Sequence, residues 1–134
     1  MNALRSFLGS LMLVACLATT ISDGHAARVG EKAALQAAMQ RHIDRNLVNG
    51  VFLYLDTTNG EVRDLYPSKA HSVILRMGDY FVLCSDFRDK DGKSVNVDFY
   101  LARDGDRYVV FHSAIDDRRI LKGLLSEGKA ERFD

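Results

Sequence analysis

The chain has 134 residues, and its 18 lysines and arginines balance its 18 aspartates and glutamates, so the formal net charge is zero. This balance argues against a nucleic-acid-binding protein, which needs a basic face for the phosphates. The sequence also lacks a Lys/Arg cluster of the kind that binds anionic lipid. Two cysteines are too few for a disulfide-stabilised scaffold.

The N-terminal residues predict an export signal. Arg5 is followed by an apolar run from Phe7 to Ile21, and Gly24-His25-Ala26 then places small residues at the −3 and −1 positions of a cleavage site. The run is too short, and too often interrupted by small polar residues, for a membrane span. We expect a signal peptide over residues 1–26, one domain over residues 27–134 and a periplasmic or secreted protein.

A second processing route stays open at Cys16. Leu13-Val14-Ala15-Cys16 resembles the lipobox of bacterial lipoproteins, in which the cysteine is acylated and becomes the N-terminus. The apolar run continues past Cys16, which favours the conventional cleavage. The alternative is a lipoprotein anchored at Cys16, and in either case Cys84 is the only free thiol expected in the mature chain.

Residues 31–48 predict the first helix of the mature domain. Leu35, Met39, Ile43 and Leu47 recur on one side of it, and Asn49-Gly50 favours a helix end.

After that helix the hydrophobic period changes from helical to two, which predicts strands. The predicted strands cover residues 51–56, 61–66, 71–77, 80–87, 94–102 and 107–115, with Pro67 expected to interrupt the ladder after Tyr66. Residues 116–129 predict a short amphipathic helix, capped by Asp116 or Asp117 and ended by Gly128.

Together these elements predict an α+β domain: a long N-terminal helix packed on an antiparallel meander of about six strands, with a short C-terminal helix. This outline resembles the cystatin-like and NTF2-like shapes. The stretches GDYFVLCSDF (78–87) and VDFYLARDGDRYVVF (97–111) are similar to small exported bacterial proteins of uncharacterised function. That resemblance implies export but no activity.

Turn chemistry predicts the strand register. A three-residue loop at Lys90-Asp91-Gly92 pairs Asp89 with Lys93 and brings large apolar residues onto one side of the sheet. This side, the core face, carries Phe81, Leu83, Phe87, Val95, Val97, Phe99 and Leu101, and we expect the N-terminal helix to cover it. The same type of loop at Arg103-Asp104-Gly105 would place Phe111 opposite Val97 and Val109 opposite Phe99.

The other side of the sheet, the outer face, is half apolar and half ionisable. The predicted register aligns Asp86, Asn96 and His112 across three strands, and a two-residue turn at Gly78-Asp79 brings His71 beside Asp86. This mixture is typical of a pocket lining, although an antiparallel sheet commonly exposes such a face to water. The predicted ligand-binding residues are His71, Cys84, Asp86, Asn96, Asp98, Tyr100, Tyr108 and His112.

These residues favour non-catalytic binding of a small molecule or of an envelope protein. One alternative is an acid–base enzyme that uses Asp98 or Asp86 with His112, by analogy with isomerases of NTF2-like shape. Another is a structural or dimerisation module in which the outer face forms a homodimer.

The residues of the outer face argue against covalent catalysis and against a metal site. Nearby carboxylates raise the pKa of a thiol, so we expect Cys84 to be inert. His71, Asp86 and His112 stand too far apart across the strands for a metal site. We therefore expect no catalytic residue, no metal and no cofactor.

Overall fold

The computed structural model describes residues 23–134. Within them the chain forms helix α1 (Asp23–Arg45), strands β1 (Leu47–Val48), β2 (Val51–Asp56), β3 (Glu61–Met77), β4 (Tyr80–Arg88), β5 (Ser94–Asp104) and β6 (Arg107–Ile115), helix α2 (Arg119–Ser126) and strand β7 (Glu131–Arg132). This is the predicted α+β architecture. The apolar run of the predicted signal peptide and Cys16 lie outside the described residues, whereas Gly24-His25-Ala26 lie in the first turns of α1.

Strands β1 to β6 form an antiparallel meander in chain order, and β7 pairs with β3. Strand β3 runs through Pro67, so the two strands expected on either side of it are one. The ladder is nevertheless irregular at this residue, because the pairing with β4 shifts register between Pro67 and Lys69. The last residue of β3 that pairs with β2 is Leu65, so one edge of β3 is unpaired at Pro67. Proline is tolerated at such an edge because its missing N–H removes no ladder bond.

Helix α1 confirms the predicted amphipathic helix but differs at both ends. It begins at Asp23, and it ends at Arg45 because Leu47 and Val48 pair with β2 instead of continuing the helix. Asn49 (φ 52°) and Gly50 (φ 81°) form the β1–β2 turn. Positive φ is tolerated by Asn and Gly, so the dipeptide read as a helix end serves as a hairpin turn.

The main core lies between α1 and the core face, as predicted. Leu35, Met39 and Ile43 of α1 are buried together with Leu83 and Phe99 of the sheet. Each large side chain buried in this way stabilises the fold by roughly 1.5–3 kcal/mol. This layer therefore provides most of the apolar burial of the domain.

A second, smaller cluster lies on the outer face. It joins Leu75, Val82 and Tyr100 of the sheet to Leu121 of α2, so the sheet is covered by a helix on each side. The expected N-cap of α2 is wrong, because Arg118 is the cap residue and makes no side-chain cap hydrogen bond. The expected end is confirmed, because Gly128 follows the C-cap Glu127 with φ 67°. Asp117 accepts a bond from the backbone N–H of Arg119 at 3.1 Å.

Candidate functional site

The candidate site is the outer face, and its β4–β5 half is built as predicted. The loop pairs Asp89 N–H with Lys93 C=O at 3.0 Å, and the register continues without a shift to Phe81 and Leu101. On the outer face this register places Val82 opposite Tyr100, Cys84 opposite Asp98 and Asp86 opposite Asn96.

The β5–β6 half differs from the prediction. Asp104 pairs with Arg107, so the turn contains only Gly105 and Asp106, and not the expected three-residue loop. A bulge follows, after which the Cα partner of Tyr100 is His112, that of Phe99 is Ser113 and that of Val97 is Ile115. The predicted pairs Val97–Phe111 and Phe99–Val109 are therefore wrong.

This shift moves Tyr108 off the outer face and gives His112 a different neighbour on it. Tyr108 lies on the core face, where its ring contacts Phe81 at a centroid distance of 5.6 Å and its hydroxyl bonds to Glu31 and Arg103. His112 stays on the outer face, but beside Tyr100 (5.6 Å between centroids) instead of in a row with Asp86 and Asn96.

A buried charged network lies at the centre of the outer face. The Asp98 side chain is 0% exposed, and Arg118 binds both of its oxygens, through Nε to Oδ2 at 3.0 Å and through Nη2 to Oδ1 at 3.0 Å. The Cys84 thiol donates to Asp98 Oδ1 at 2.8 Å and accepts from Arg118 Nη2 at 3.1 Å. Arginine suits this site because its planar fork matches a carboxylate.

The network explains the chemistry of the thiol. Burial, followed by the hydrogen bond to Asp98 and its negative charge, raises the pKa of Cys84 from 9.0 to about 12. The thiolate is the nucleophilic form of cysteine. At neutral pH this side chain is therefore a protonated donor to Asp98, and Arg118 lowers the pKa too little to change that.

A second polar group lies at the bulged part of β3. The Cα partners Ala70–Ser85 and Ile74–Leu83 leave residues 71–73 of β3 opposite Cys84 alone. A bulge of this kind redirects side chains.

This redirection brings His71 Nε2 to 2.9 Å from Asp86 Oδ2, although the Cα partner of Asp86 is Lys69 and not His71. Asn96 donates to Asp86 Oδ1 at 3.3 Å, and its own Oδ1 is buried without a hydrogen-bond partner. The bond from His71, opposed in part by burial and assisted by Asn96, lowers the pKa of Asp86 below 3.8. These three residues thus form a half-exposed polar group.

The opposite end of the outer face is aromatic. Phe111 and Tyr80 are 55% and 46% exposed, and their rings meet edge to face with centroids 5.5 Å apart. Tyr100 supports Phe111 from below at 6.4 Å and also contacts His112. We call Tyr80, Phe111, His112 and the buried Tyr100 the aromatic end.

Sequence reasoning missed Arg118, Tyr80 and Phe111. A signal for Arg118 existed in VDFY (97–100), because an aspartate between Val97 and Phe99 needs a cation once the strand is buried. Phe111 was assigned to the core face because the bulge that turns it outward has no marker in the sequence.

A wide cleft of about 540 Å³ opens beside Arg118 and is lined mainly by charged residues, among them Arg63, Asp116 and Lys122. Among residues 23–134, no group of three or more His, Cys, Asp and Glu side chains is arranged to hold a metal ion. Neither helix in the described part of the chain has the length and apolarity that crossing a membrane requires.

No family model, curated protein or solved structure matches this chain.

Proposed function

We propose that the protein is exported and binds a partner protein, without catalysis, through the aromatic end of its outer face. Export rests on the signal sequence predicted over residues 1–26. Binding rests on one observation: Phe111 and Tyr80 expose about half of their surface, although they are held in a fixed edge-to-face pair above a buried tyrosine.

The physical argument is the cost of leaving such rings in water. Soluble proteins rarely keep clustered apolar side chains exposed unless the cluster makes an interface. Rigid aromatic residues are the usual anchors of such interfaces, since they bury a large area and lose little conformational entropy. His112 adds a polar donor at the rim. The expected partner therefore presents aliphatic side chains with a hydrogen-bond acceptor beside them.

The other functions considered have less support. A small molecule cannot reach Cys84, Asp98 and Tyr100 in this conformation, because α2 covers them. In the acid–base alternative, Asp98 would need a free oxygen, but Arg118 binds both. Nor does His112 lie beside Asp86, whose hydrogen-bonded histidine is His71.

Photo-crosslinking tests the proposal. Tyr80 is replaced by p-benzoylphenylalanine in the full-length protein, which is irradiated in the envelope of the bacterium that produces it. The matched control carries the same group at Leu55, which is 56% exposed on the distant strand β2. We expect a discrete crosslinked species from position 80 that is absent from position 55 and lost when Phe111→Ser is added.

The mass of the species identifies the partner. A different protein supports the proposal if, once purified, it binds the wild-type protein and Phe111→Ser weakens that binding by about thirtyfold or more, as loss of an anchor does. A species of twice the chain's own mass means that the aromatic end forms a homodimer, which overturns binding of a different partner. Absence of any species specific to position 80 also overturns it.

A further inference from the structure

Helix α2 covers the centre of the outer face but buries few of its own side chains there. It has eight residues, and Leu121 is its only buried one. Isolated helices of this length are marginal in water, and Gly123 within it costs roughly 1 kcal/mol relative to alanine. Two of its apolar side chains, Ile120 and Leu125, remain 69% and 44% exposed.

The segment that contains α2 is held to the sheet at both ends, and one residue near each end has a positive φ. Asp116 has φ 53° directly after β6, and Gly128 has φ 67° between α2 and β7. Beyond Gly128, Phe133 N–H bonds to Ile74 C=O at 2.9 Å, and its ring packs on Phe81 at 5.2 Å. Residues 116–128 thus form a strap between two anchors on the sheet.

The part of the outer face that the strap covers, here called the groove, has an apolar and a charged surface. Its floor is apolar, formed by the buried Leu75, Val82 and Tyr100, which cluster with Leu121. Beside the floor lies the Asp98 carboxylate, which Arg118 neutralises. The strap thus supplies the groove with the guanidinium of Arg118 and, three residues later, the aliphatic side chain of Leu121.

We propose that α2 is a lid that opens while the rest of the fold stays intact, and that the groove beneath it binds a ligand with a cationic group on an aliphatic body. Such a ligand replaces both contacts that α2 withdraws, the cation on Asp98 and the apolar group on Val82 and Tyr100. An anionic or uncharged ligand leaves a buried carboxylate uncompensated, which the groove does not tolerate. The groove shares the buried Tyr100 with the aromatic end, whereas the exposed Tyr80 and Phe111 belong to the aromatic end alone.

Opening of the lid is energetically consistent with its construction. Local openings of proteins span free energies from near zero to that of global unfolding, and segments with few buried side chains open most readily. The apparent affinity of a ligand that needs the open state is reduced by the fraction of molecules that are open. A change that loosens the lid should therefore strengthen ligand binding.

Cys84 reports opening directly, because its thiol lies under Arg118 and is buried. Protein produced from its full-length gene is treated with excess N-ethylmaleimide in 0 to about 2 M urea, and labelling of Cys84 is followed by mass. Local opening gives a labelling rate that barely depends on urea, whereas labelling through global unfolding follows the full denaturant dependence of unfolding.

Leu121→Ala and its matched control Leu125→Ala separate the two routes. We expect Leu121→Ala to raise the labelling rate about tenfold or more while that rate stays nearly independent of urea, and Leu125→Ala to leave the rate within about twofold. Labelling that follows global unfolding in every variant overturns the lid.

Octylguanidinium, with octanoate and octanol as matched probes, tests the ligand class by calorimetry. We expect only octylguanidinium to bind, and Leu121→Ala to tighten its binding several-fold. Equal binding of octanoate, or an affinity that Leu121→Ala leaves unchanged or weakens, overturns the groove as its site. Failure of octylguanidinium to bind overturns the ligand proposal even if the lid opens. None of these outcomes bears on the Tyr80 crosslink, so the two proposals fail separately.

Discussion

The two helices cover opposite faces of one sheet by different physical means. Helix α1 has 23 residues and buries Leu35, Ala38, Met39 and Ile43 in the main core. Helix α2 buries Leu121 alone and holds the sheet through an arginine on a buried carboxylate. Apolar burial is distributed over many contacts, whereas an ion pair with one side chain beside it is lost in a single step.

This difference assigns the two faces different roles. Removing α1 would expose the whole core, so α1 and the sheet must unfold together. The cluster under α2 contains three apolar side chains of the sheet, with one carboxylate beside them, and shares no residue with the main core. The core face therefore accounts for most of the stability, and the outer face is the one on which we propose binding.

The largest expected loss of stability comes from a substitution in helix α1. Met39→Ala leaves a cavity in the main core, where Met39 is 1% exposed, and should lower the free energy of unfolding by about 2–5 kcal/mol. Urea denaturation measures it. Gln40→Ala, one position along on the exposed side of the same helix, is the control and should change stability by about 0.5 kcal/mol or less. A loss below about 1 kcal/mol for Met39→Ala would contradict the role given to α1.

The next effect concerns the ion pair of the outer face. Arg118→Met leaves Asp98 buried without a cation, which costs about 3–5 kcal/mol for a fully buried pair. Because the Arg118 side chain is 41% exposed, solvent screening reduces the expected loss to about 1–3 kcal/mol. Thermal or urea unfolding measures this loss.

Adding Asp98→Leu should restore most of that stability, because an apolar pair removes the uncompensated charge. Arg119→Met is the control, since Arg119 is an exposed neighbour paired only with Asp117. If the double variant is less stable than Arg118→Met, the buried charge is not the origin of the loss.

The same contrast between faces separates what could be predicted from what could not. The core face followed from the period of two and from the loop at Lys90-Asp91-Gly92, because a slip by one residue would bury Asn96 and Asp98 against α1. Both the β4–β5 register and the covering helix are confirmed.

The outer face depended on features that leave a weaker signal. An Asp-Gly pair suits a two-residue and a three-residue turn equally, and at Gly105 the chain adopts the shorter one, which moved Tyr108 to the core face. The bulge in β6 then set His112 beside Tyr100. Arg118 was missed because its partner is 20 residues away, and only the folded sheet brings the two together.

A smaller loss of stability is expected at alkaline pH and involves the Cys84 thiol under α2. The pKa of Cys84 is about 12 in the folded protein, against 9.0 for an ordinary thiol. Because the folded value is raised, this contribution to stability is complete below pH 9 and is lost progressively as pH rises toward 12. The expected loss between pH 8 and pH 10 is about 1 kcal/mol.

Urea denaturation of wild type and Cys84→Ala across that range isolates this contribution, since the tyrosines and lysines titrate in both proteins. The two stability profiles should converge as the pH increases. Parallel profiles would show that the thiol ionises as easily in the folded protein as in the unfolded one, and hence that α2 does not shield it.

The smallest expected effect lies at the exposed polar group of the outer face. The hydrogen bond from His71 lowers the pKa of Asp86 below 3.8, so its contribution to stability is present above about pH 3.8 and is lost as pH falls through the lowered value. Both side chains are about one-third exposed, which limits the pair to about 0–1 kcal/mol. A double-mutant cycle of His71→Ala and Asp86→Asn, measured at pH 6 and pH 3, should give a coupling of a few tenths of a kcal/mol at pH 6 that is smaller at pH 3. A coupling above about 2 kcal/mol would mean that this group, and not the Arg118 ion pair, is the main polar contact of the outer face. The stability of the outer face would then depend on His71 and not on the residues that hold α2.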